Sequence, residues 1–404
     1  MDVFSVSTDS LFITSASQSA QMEGIAQRLL VNALTSFTAK NYDQAIATFK
    51  QAIGLAPTST TAINAYDYMA RSYVQKGDNQ SAIKAYQQSI KADPNQDATY
   101  TSLANIYYSQ GNYNDALAQY RKAAQLNPSS ANLYSLGQGY LAAGQYSSAA
   151  NQFDALRGQE PTSPAGDFGL GLTYAKQGLT ADALDSFQRA ISIKADYWEA
   201  YSEMGYALAN SGQFDKAREI ISTLQDNASS KNNASYLAGT LNSYINQKQP
   251  PAMLAVYSSN NYAVFPTAVG PGAQLANLSS YLSNAGDQQT FAMIFQFSKQ
   301  MDRNSIENTL NWSITRPGGT GQGDGYNYGL PTPATEVSLA THPAGVFYDS
   351  TNLTATVLFT ITQNATADGT IDPSHIKFSF GGKDVFGLSM NSKADAYSGF
   401  SGFA

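Results

Sequence analysis

Glu199 and Glu203 stand four residues apart in a stretch that reads as helix, which puts both carboxylates on one face, one turn apart. Two carboxylates so placed can divide acid and base work; they can equally form the solvated face of a scaffold helix. Asn364, Thr366, Asp368 and Asp372 around Gly369 partly match a calcium loop, which sets oxygen ligands at alternate positions before a glycine. The first of these positions lacks a carboxylate, however, and His375 stands where the closing Glu belongs, so Asp-Gly and Asp-Pro turn chemistry explains the same residues. Residues 318–329 hold six glycines in twelve but lack the Lys-Ser/Thr of a phosphate loop, and no helical pattern follows. With no cysteine and only His342 and His375, thiol catalysis, disulfides, zinc–thiolate sites and histidine-rich metal sites are excluded. Neither a G-x-S-x-G nor an H-E-x-x-H motif occurs, and Glu appears only seven times. The expectation is a protein that is not an enzyme and carries no cofactor or metal.

The surface chemistry points the same way. Charged residues are 13% of the chain, against about 25% in an average soluble protein. Ser, Thr, Asn, Gln, Tyr and Gly take their place, giving a neutral, hydrogen-bonding surface. A net charge of −7 lacks the basic stripe that nucleic acid requires. No apolar run reaches the roughly 20 residues of a membrane span. The first Lys or Arg is Arg28 and the longest early apolar run is Leu11-Phe12-Ile13, so no cleavable signal is read at the start. Seven Asn-x-Ser/Thr sequons are present, a number that an Asn- and Ser-rich chain produces by chance.

The elements that position these residues follow from internal spacing. Gly77, Gly111, Gly144, Gly178 and Gly212 are 34, 33, 34 and 34 residues apart, and Pro57, Pro94, Pro128 and Pro161 follow at 37, 34 and 33. Each unit reads helix, Gly turn, helix, Pro. In residues 100–128 the packing positions are Tyr100, Leu103, Ala104, Tyr107, Ala116, Tyr120, Ala123 and Pro128. Small residues recur where two helices must touch: Ala104, Gly137, Gly171 and Gly205 on the first helix, and Ala82, Ala116, Ala149, Ala183 and Ala217 on the second. This pattern resembles the tetratricopeptide repeat, a 34-residue helix–turn–helix. Six repeats are read over 26–247, closed by a capping helix from about 232; Lys40 replaces the turn glycine of the first.

The resemblance implies a superhelix whose first helices line a concave, protein-binding face. The inward positions are Asn64, Asp67, Arg71, Asn105, Tyr108, Tyr134, Gln138, Phe168, Lys176 and Tyr206. Only Arg71 and Lys176 could hold a carboxylate, and they lie three repeats apart. Tyr134, Phe168 and Tyr206 can line the groove or pack within hairpins.

Prolines at 250, 251, 266 and 271 interrupt helix after residue 248. Apolar spacing then predicts helices over 272–284, 287–301 and 303–310, making 248–310 a Pro-rich linker and helical connector. From 311 the period changes to two: Leu353, Ala355, Val357, Phe359 and Ile361 alternate with polar residues, and Ile376, Phe378 and Phe380 repeat the pattern. Shorter strands are expected at 311–315, 335–340, 345–348 and 384–390. The stretch resembles bacterial immunoglobulin-like (Ig-like) surface domains. The fold class expected is thus α+β multidomain: an all-α superhelix, a helical connector and an antiparallel Ig-like β-sandwich.

Residues 1–25 precede the repeats. Val3, Phe4 and Val6 suit a strand that could add to the sandwich edge of another copy and build a filament; residues 9–25 can alternatively extend the first helix. Two functions stay open. One is a self-associating structural subunit of a prokaryotic surface or extracellular assembly; the other is a cytoplasmic adaptor that grips partner peptides in its groove. In both, the partner is protein: the chain itself or a peptide segment.

Overall fold

The computed structural model describes residues 8–229, 232–258, 262–267, 269–270, 272–316 and 332–398. The chain divides into two compact units, residues 1–211 with 219–238 and residues 212–218 with 239–404. From the N-terminus, helices come in six consecutive pairs. These are α1 (Thr8–Thr38) with α2 (Tyr42–Leu55), α3 (Thr60–Gln75) with α4 (Asn79–Ala92), α5 (Asp97–Ser109) with α6 (Tyr113–Leu126), α7 (Ser130–Ala142) with α8 (Tyr146–Gln159), α9 (Ala165–Gln177) with α10 (Thr180–Ile193), and α11 (Trp198–Asn210) with α12 (Phe214–Asp226). Helix α13 (Ala234–Lys248) follows.

The turn glycines explain the period. All five have φ between 71 and 77°, and nothing crowds the place where a Cβ would sit, so backbone conformation alone selects glycine. Four of these turns close with a bond back to a carbonyl of the last helical turn: Asp78 N–H to Tyr73, Asn112 to Tyr107, Gln145 to Tyr140 and Leu179 to Tyr174. Asn41 N–H makes the same bond to Ser36, but around Lys40 at φ 61°. A side chain in this left-handed region costs about 1 kcal/mol. Lys40→Gly is therefore expected to stabilise the protein by up to about 1 kcal/mol, read as a higher urea midpoint; an unchanged or lower midpoint would contradict it.

Within the pairs, small residues let backbones approach large rings. Ala82, Ala116, Ala149, Ala183 and Ala217 are fully buried. The Phe153 ring lies against both Gly137 and Gly169, where an added Cβ would stand 2.6 and 2.2 Å from it; Gly171 meets Phe187 at 2.5 Å in the same sense. Buried Asp167 joins neighbouring hairpins through Arg189 at 3.0 Å and Arg157 at 3.6 Å. Helix α1 has 31 residues where α3 has 16 and α5 has 13, so the lead-in from Thr8 is helical. Val3, Phe4 and Val6 lie outside the described residues.

The helical connector is not what forms after α13. The strands are β1 (Met253–Ser258), β2 (Ala263–Val264), β3 (Ala273–Gln274), β4 (Gln288–Phe297), β5 (Trp312–Thr315), β6 (Gly345–Asp349), β7 (Thr354–Thr362), β8 (Thr370–Ile371), β9 (Lys377–Phe380) and β10 (Ala396–Ser398). Strand β4 replaces the helix expected over 287–301. Phe291, Met293, Phe295 and Phe297 are buried with a period of two, which Ala292, also buried, and half-buried Ile294 on the other face disguise as a continuous apolar run. Only α14 (Leu275–Leu278) and α15 (Arg303–Ile306) remain of the other two expected helices, apart from short 3-10 turns. Leu275 and Leu282 are fully buried, from a single helical turn and a 3-10 turn rather than from one continuous helix. Residues 335–340 and 384–390 contribute isolated bridges, through Glu336 in the first and Asp384 and Ser389 in the second, rather than strands.

The larger sheet runs β1-β4-β7-β6, with β2 pairing parallel to β4; a second runs β10-β9-β5, and β3 pairs with β8. Phe291 faces Phe359 across the β4–β7 ladder, and Phe295 faces Ala355. The two main sheets meet through rings: Phe295 is 5.1 Å from Trp312 and 5.3 Å from Phe378, and Phe297 is 5.6 Å from Phe380. Trp312 is buried with its indole N–H donating to the Ile306 carbonyl at 2.8 Å, which satisfies its one polar atom.

Candidate functional site

All ten expected groove residues fall on first helices of the pairs: Asn64, Asp67 and Arg71 on α3, Asn105 and Tyr108 on α5, Tyr134 and Gln138 on α7, Phe168 and Lys176 on α9, and Tyr206 on α11. At one end, Thr99 donates its hydroxyl to the Asp67 carboxylate at 2.9 and 3.1 Å. Burial raises the Asp67 carboxyl, opposed by hydrogen bonds from Ser89 and Thr99 and by the Arg71 guanidinium. Arg71 also lies 5.0 Å over the Tyr68 ring. At the other end, burial raises the Glu203 carboxyl while Lys176 pulls it back. Arg71 thus lies within electrostatic reach of Asp67, and Lys176 of Glu203.

Between these pairs the face is phenolic and uncharged. Tyr120, from the second helix α6, donates its hydroxyl to Asn105 Oδ1 at 2.6 Å. Burial, with Tyr108 nearby, pushes its phenol up to about 12. Gln138 Nε2 donates to the Tyr134 hydroxyl at 3.1 Å, and burial raises Tyr134, with Tyr108 contributing in the same direction. Tyr197, just before α11, is raised by burial and by proximity to Tyr134. Tyr108 is the most open of the groove tyrosines that the sequence singled out. Phe168 is not part of the surface: it is 9% exposed and packs 4.8 Å from Tyr197 and 5.9 Å from Phe187. Sequence reading placed Tyr120 in the packing set and passed over Tyr197; a residue that reaches the face from a second helix or a loop carries no first-helix periodicity.

The charge pair gives a pH test. A carboxyl raised by burial favours its neutral form in the folded state, so the cost of its charge is present above the folded value and vanishes below the ordinary one. Glu203→Gln is expected to raise the melting temperature at pH 8 and leave it unchanged near pH 3. A lower midpoint at pH 8 would contradict the assignment.

Elsewhere the chemistry-bearing residues do not converge. Glu199 accepts from Asn233 at 2.8 Å, so the two α11 carboxylates serve different partners. In the 364–372 loop, Asn364 and Thr366 donate to Asp368, while Asp372 turns to Ser374 and lies 3.4 Å from His375. The loop is closed on itself as a turn. Among the described residues no group of three or more His, Asp or Glu could hold a metal ion, and no helix is long and apolar enough to cross a membrane. His375 Nδ1 lies 3.0 Å from Glu336, which also meets Arg316 at 3.2 Å, beside a cavity of about 290 Å³. This chain ties the end of β5 to residues 336 and 372–375. The glycine-rich segment 318–329 lies outside the described residues.

Models of the tetratricopeptide repeat family match residues 33–59, 69–131, 134–200 and 174–238. These stretches of the helical part are built of tetratricopeptide repeats. Tetratricopeptide repeat protein 13 of Homo sapiens is 27% identical over 171 residues, covering 41% of this chain and 20% of that protein. Small glutamine-rich tetratricopeptide repeat-containing protein 2 of Mycosarcoma maydis is 31% identical over 104 residues, covering 26% and 29%. A solved tetratricopeptide repeat protein from Parabacteroides merdae is 18% identical, with a TM-score of 0.49, over 55% of this chain and 88% of that one. The chain thus spans less than a third of the length of these two curated relatives.

Proposed function

We propose that this chain is a non-enzymatic scaffold that binds a protein segment on the first-helix face of its repeats, over Asn105, Tyr108, Tyr134 and Gln138. One observation carries the reading. On that face Tyr108 is 37% exposed, Asn105 beside it holds the Tyr120 hydroxyl at 2.6 Å, and one pair along Gln138 holds the Tyr134 hydroxyl at 3.1 Å. Hydrogen-bonding aromatic side chains offer large contact area at low entropic cost, as protein interfaces require. A photo-crosslinking amino acid at Tyr108 is expected to capture a protein in the native cell, while the same residue at exposed Lys122 on α6 captures none. Equal or absent crosslinks at both positions would overturn the reading.

Self-association as a surface or extracellular subunit is the second reading. Phe347 on β6 and Tyr257 on β1 are 56% and 45% exposed, and their register sets both on the outer face of the larger sheet, beside Thr356 and Ile294. The strand orders β1-β4-β7-β6 and β10-β9-β5 correspond to A-B-E-D and G-F-C of a constant-type immunoglobulin sandwich, with Trp312 on the strand that carries the buried Trp of that fold. We read the β unit as an Ig-like variant, a module common on cell surfaces, against the cytoplasmic alternative. Strand addition by residues 1–7 finds less support at β6, whose Tyr348 N–H is already taken by Glu307 at 3.0 Å. Light scattering of the purified chain separates the readings: polymers lost on Phe347→Ser support a subunit, and a monomer at high concentration supports the adaptor.

A further inference from the structure

We infer that a hollow between α6, α7 and α8 is a second docking site, for a protein segment that presents an aliphatic side chain next to a carboxylate. The hollow has a volume of about 360 Å³. Leu133, Leu136 and Tyr140 of α7 and Ala124 of α6 give it apolar walls, and Arg121 of α6 stands at it as the charged group. None of Asn105, Tyr108, Tyr134 and Gln138 lines it, so it is separate from the first-helix face. Its size lies at the small end of the ligand-pocket range of about 300–1,000 Å³, which suits one or two side chains. The sequence explains why it opens here. Ala124 stands thirteen residues past the turn glycine Gly111, where the second and fifth pairs carry Ile90 and Ile191. Leu133 stands eleven residues before Gly144, as Tyr100 does before Gly111. Ile191 and Tyr100 are buried in their own pairs; the smaller Ala124 and Leu133 leave room between the third and fourth.

The charge is as local as the hollow. Arg121 occupies a position that holds Gln87, Asp154, Gln188 and Ser222 in the other pairs with a turn glycine. Its Nε donates to the Tyr140 hydroxyl at 3.1 Å, and its guanidinium lies 5.1 Å over that ring. These contacts hold the group at the hollow and leave the Nη1 and Nη2 donors for another acceptor. The three helices carry two carboxylates. Asp154 pairs with Arg157 of its own helix, and Asp115 is six residues from Arg121, on another face of α6. Among the described residues no carboxylate forms an ion pair with Arg121. A partner's carboxylate matches the guanidinium fork in the bidentate way, and an aliphatic neighbour covers the apolar walls. A basic segment meets a like charge, and a wholly apolar one strips water from the guanidinium without replacing it.

The test is a random dodecapeptide library displayed on phage and panned against the full chain, with clones that also bind Arg121→Gln removed. The most enriched peptide is then titrated against wild type and Ala124→Ile by fluorescence anisotropy. Both substitutions install residues that neighbouring pairs carry at the same positions, and their melting curves are to overlay wild type. Leu133→Tyr fills the hollow by the other route if Ala124→Ile does not fold. The expected result is Arg121-dependent clones that combine Asp or Glu with Leu, Ile or Val above the unselected library, with affinity about tenfold lower for the filled variant. A peptide that binds the filled variant as tightly as wild type overturns the inference, because charge alone then holds it. An absence of Arg121-dependent clones, or clones not enriched in both acidic and aliphatic residues, overturns it as well. None of these results bears on the first-helix reading, which the crosslink at Tyr108 tests separately.

Discussion

Phe153→Ala is expected to cost about 3–5 kcal/mol and to unfold the middle of the repeat array before its ends. The ring is fully buried on α8 and is met by two glycines, Gly137 of α7 and Gly169 of α9, with Tyr134 5.6 Å away. Glycines have no side chain that could swing into the vacated space, so on those two sides the cavity closes only if helix backbones move. Repeat stacks hold together through nearest-neighbour contacts, which localises the loss to the fourth and fifth pairs and to Tyr134 in the cleft above. Urea denaturation with hydrogen exchange reads both effects. The converse change, Gly169→Ala, sets a methyl group against the same ring and is expected to destabilise by about 1–3 kcal/mol. A loss below about 1 kcal/mol for Phe153→Ala would contradict the packing account.

Lys299→Met is expected to destabilise the β unit by about 3–5 kcal/mol. Its ammonium donates to the Asn246 and Gln249 carbonyls at 2.5 and 2.7 Å and forms an ion pair with Asp384. The Asp384 Oδ2 contact is a charge pairing rather than an aligned hydrogen bond. Asp384 is 1% exposed, and its other oxygen accepts the Phe386 and Leu388 N–H groups that shape the 384–388 turn. Removing the cation leaves a buried carboxylate with no countercharge from Lys299, and a buried charge costs far more than a buried amide. The double variant Lys299→Met with Asp384→Asn is expected to recover much of the loss. A double variant as unstable as the sum of the singles would show that the two residues act independently.

The helical part was legible because its rules are local. A positive φ at the turn demands glycine, and one helix approaching another demands Ala or Gly, so Gly111 and Ala116 announce their roles by type and spacing. The β unit was legible only where one face is polar. Thr354 to Thr362 alternates cleanly, whereas Ala292 and Ile294 between the buried residues of β4 made a strand look like a helix. The pairing partners of β1 and β2 lie across a gap in sequence, and Pro-rich flanks masked them as linker. For the cleft, first-helix spacing found Asn105, Tyr108, Tyr134 and Gln138. It included Phe168, whose burial depends on Tyr197 in a loop, and it passed over Tyr120 and Tyr197, which reach the face from outside its periodicity. Asp67 and Arg71 stand four residues apart on α3, a spacing legible in the sequence, whereas the nearness of Lys176 on α9 to Glu203 on α11 is a tertiary fact.

The measurement that bears most directly on the binding face is a crystal structure of the chain with the protein segment captured at Tyr108 bound. The account predicts density for that segment along α5 and α7, against the Tyr108 ring and beside Asn105 and Gln138. Density seated instead on the outer face of the larger sheet, around Phe347 and Tyr257, would contradict it.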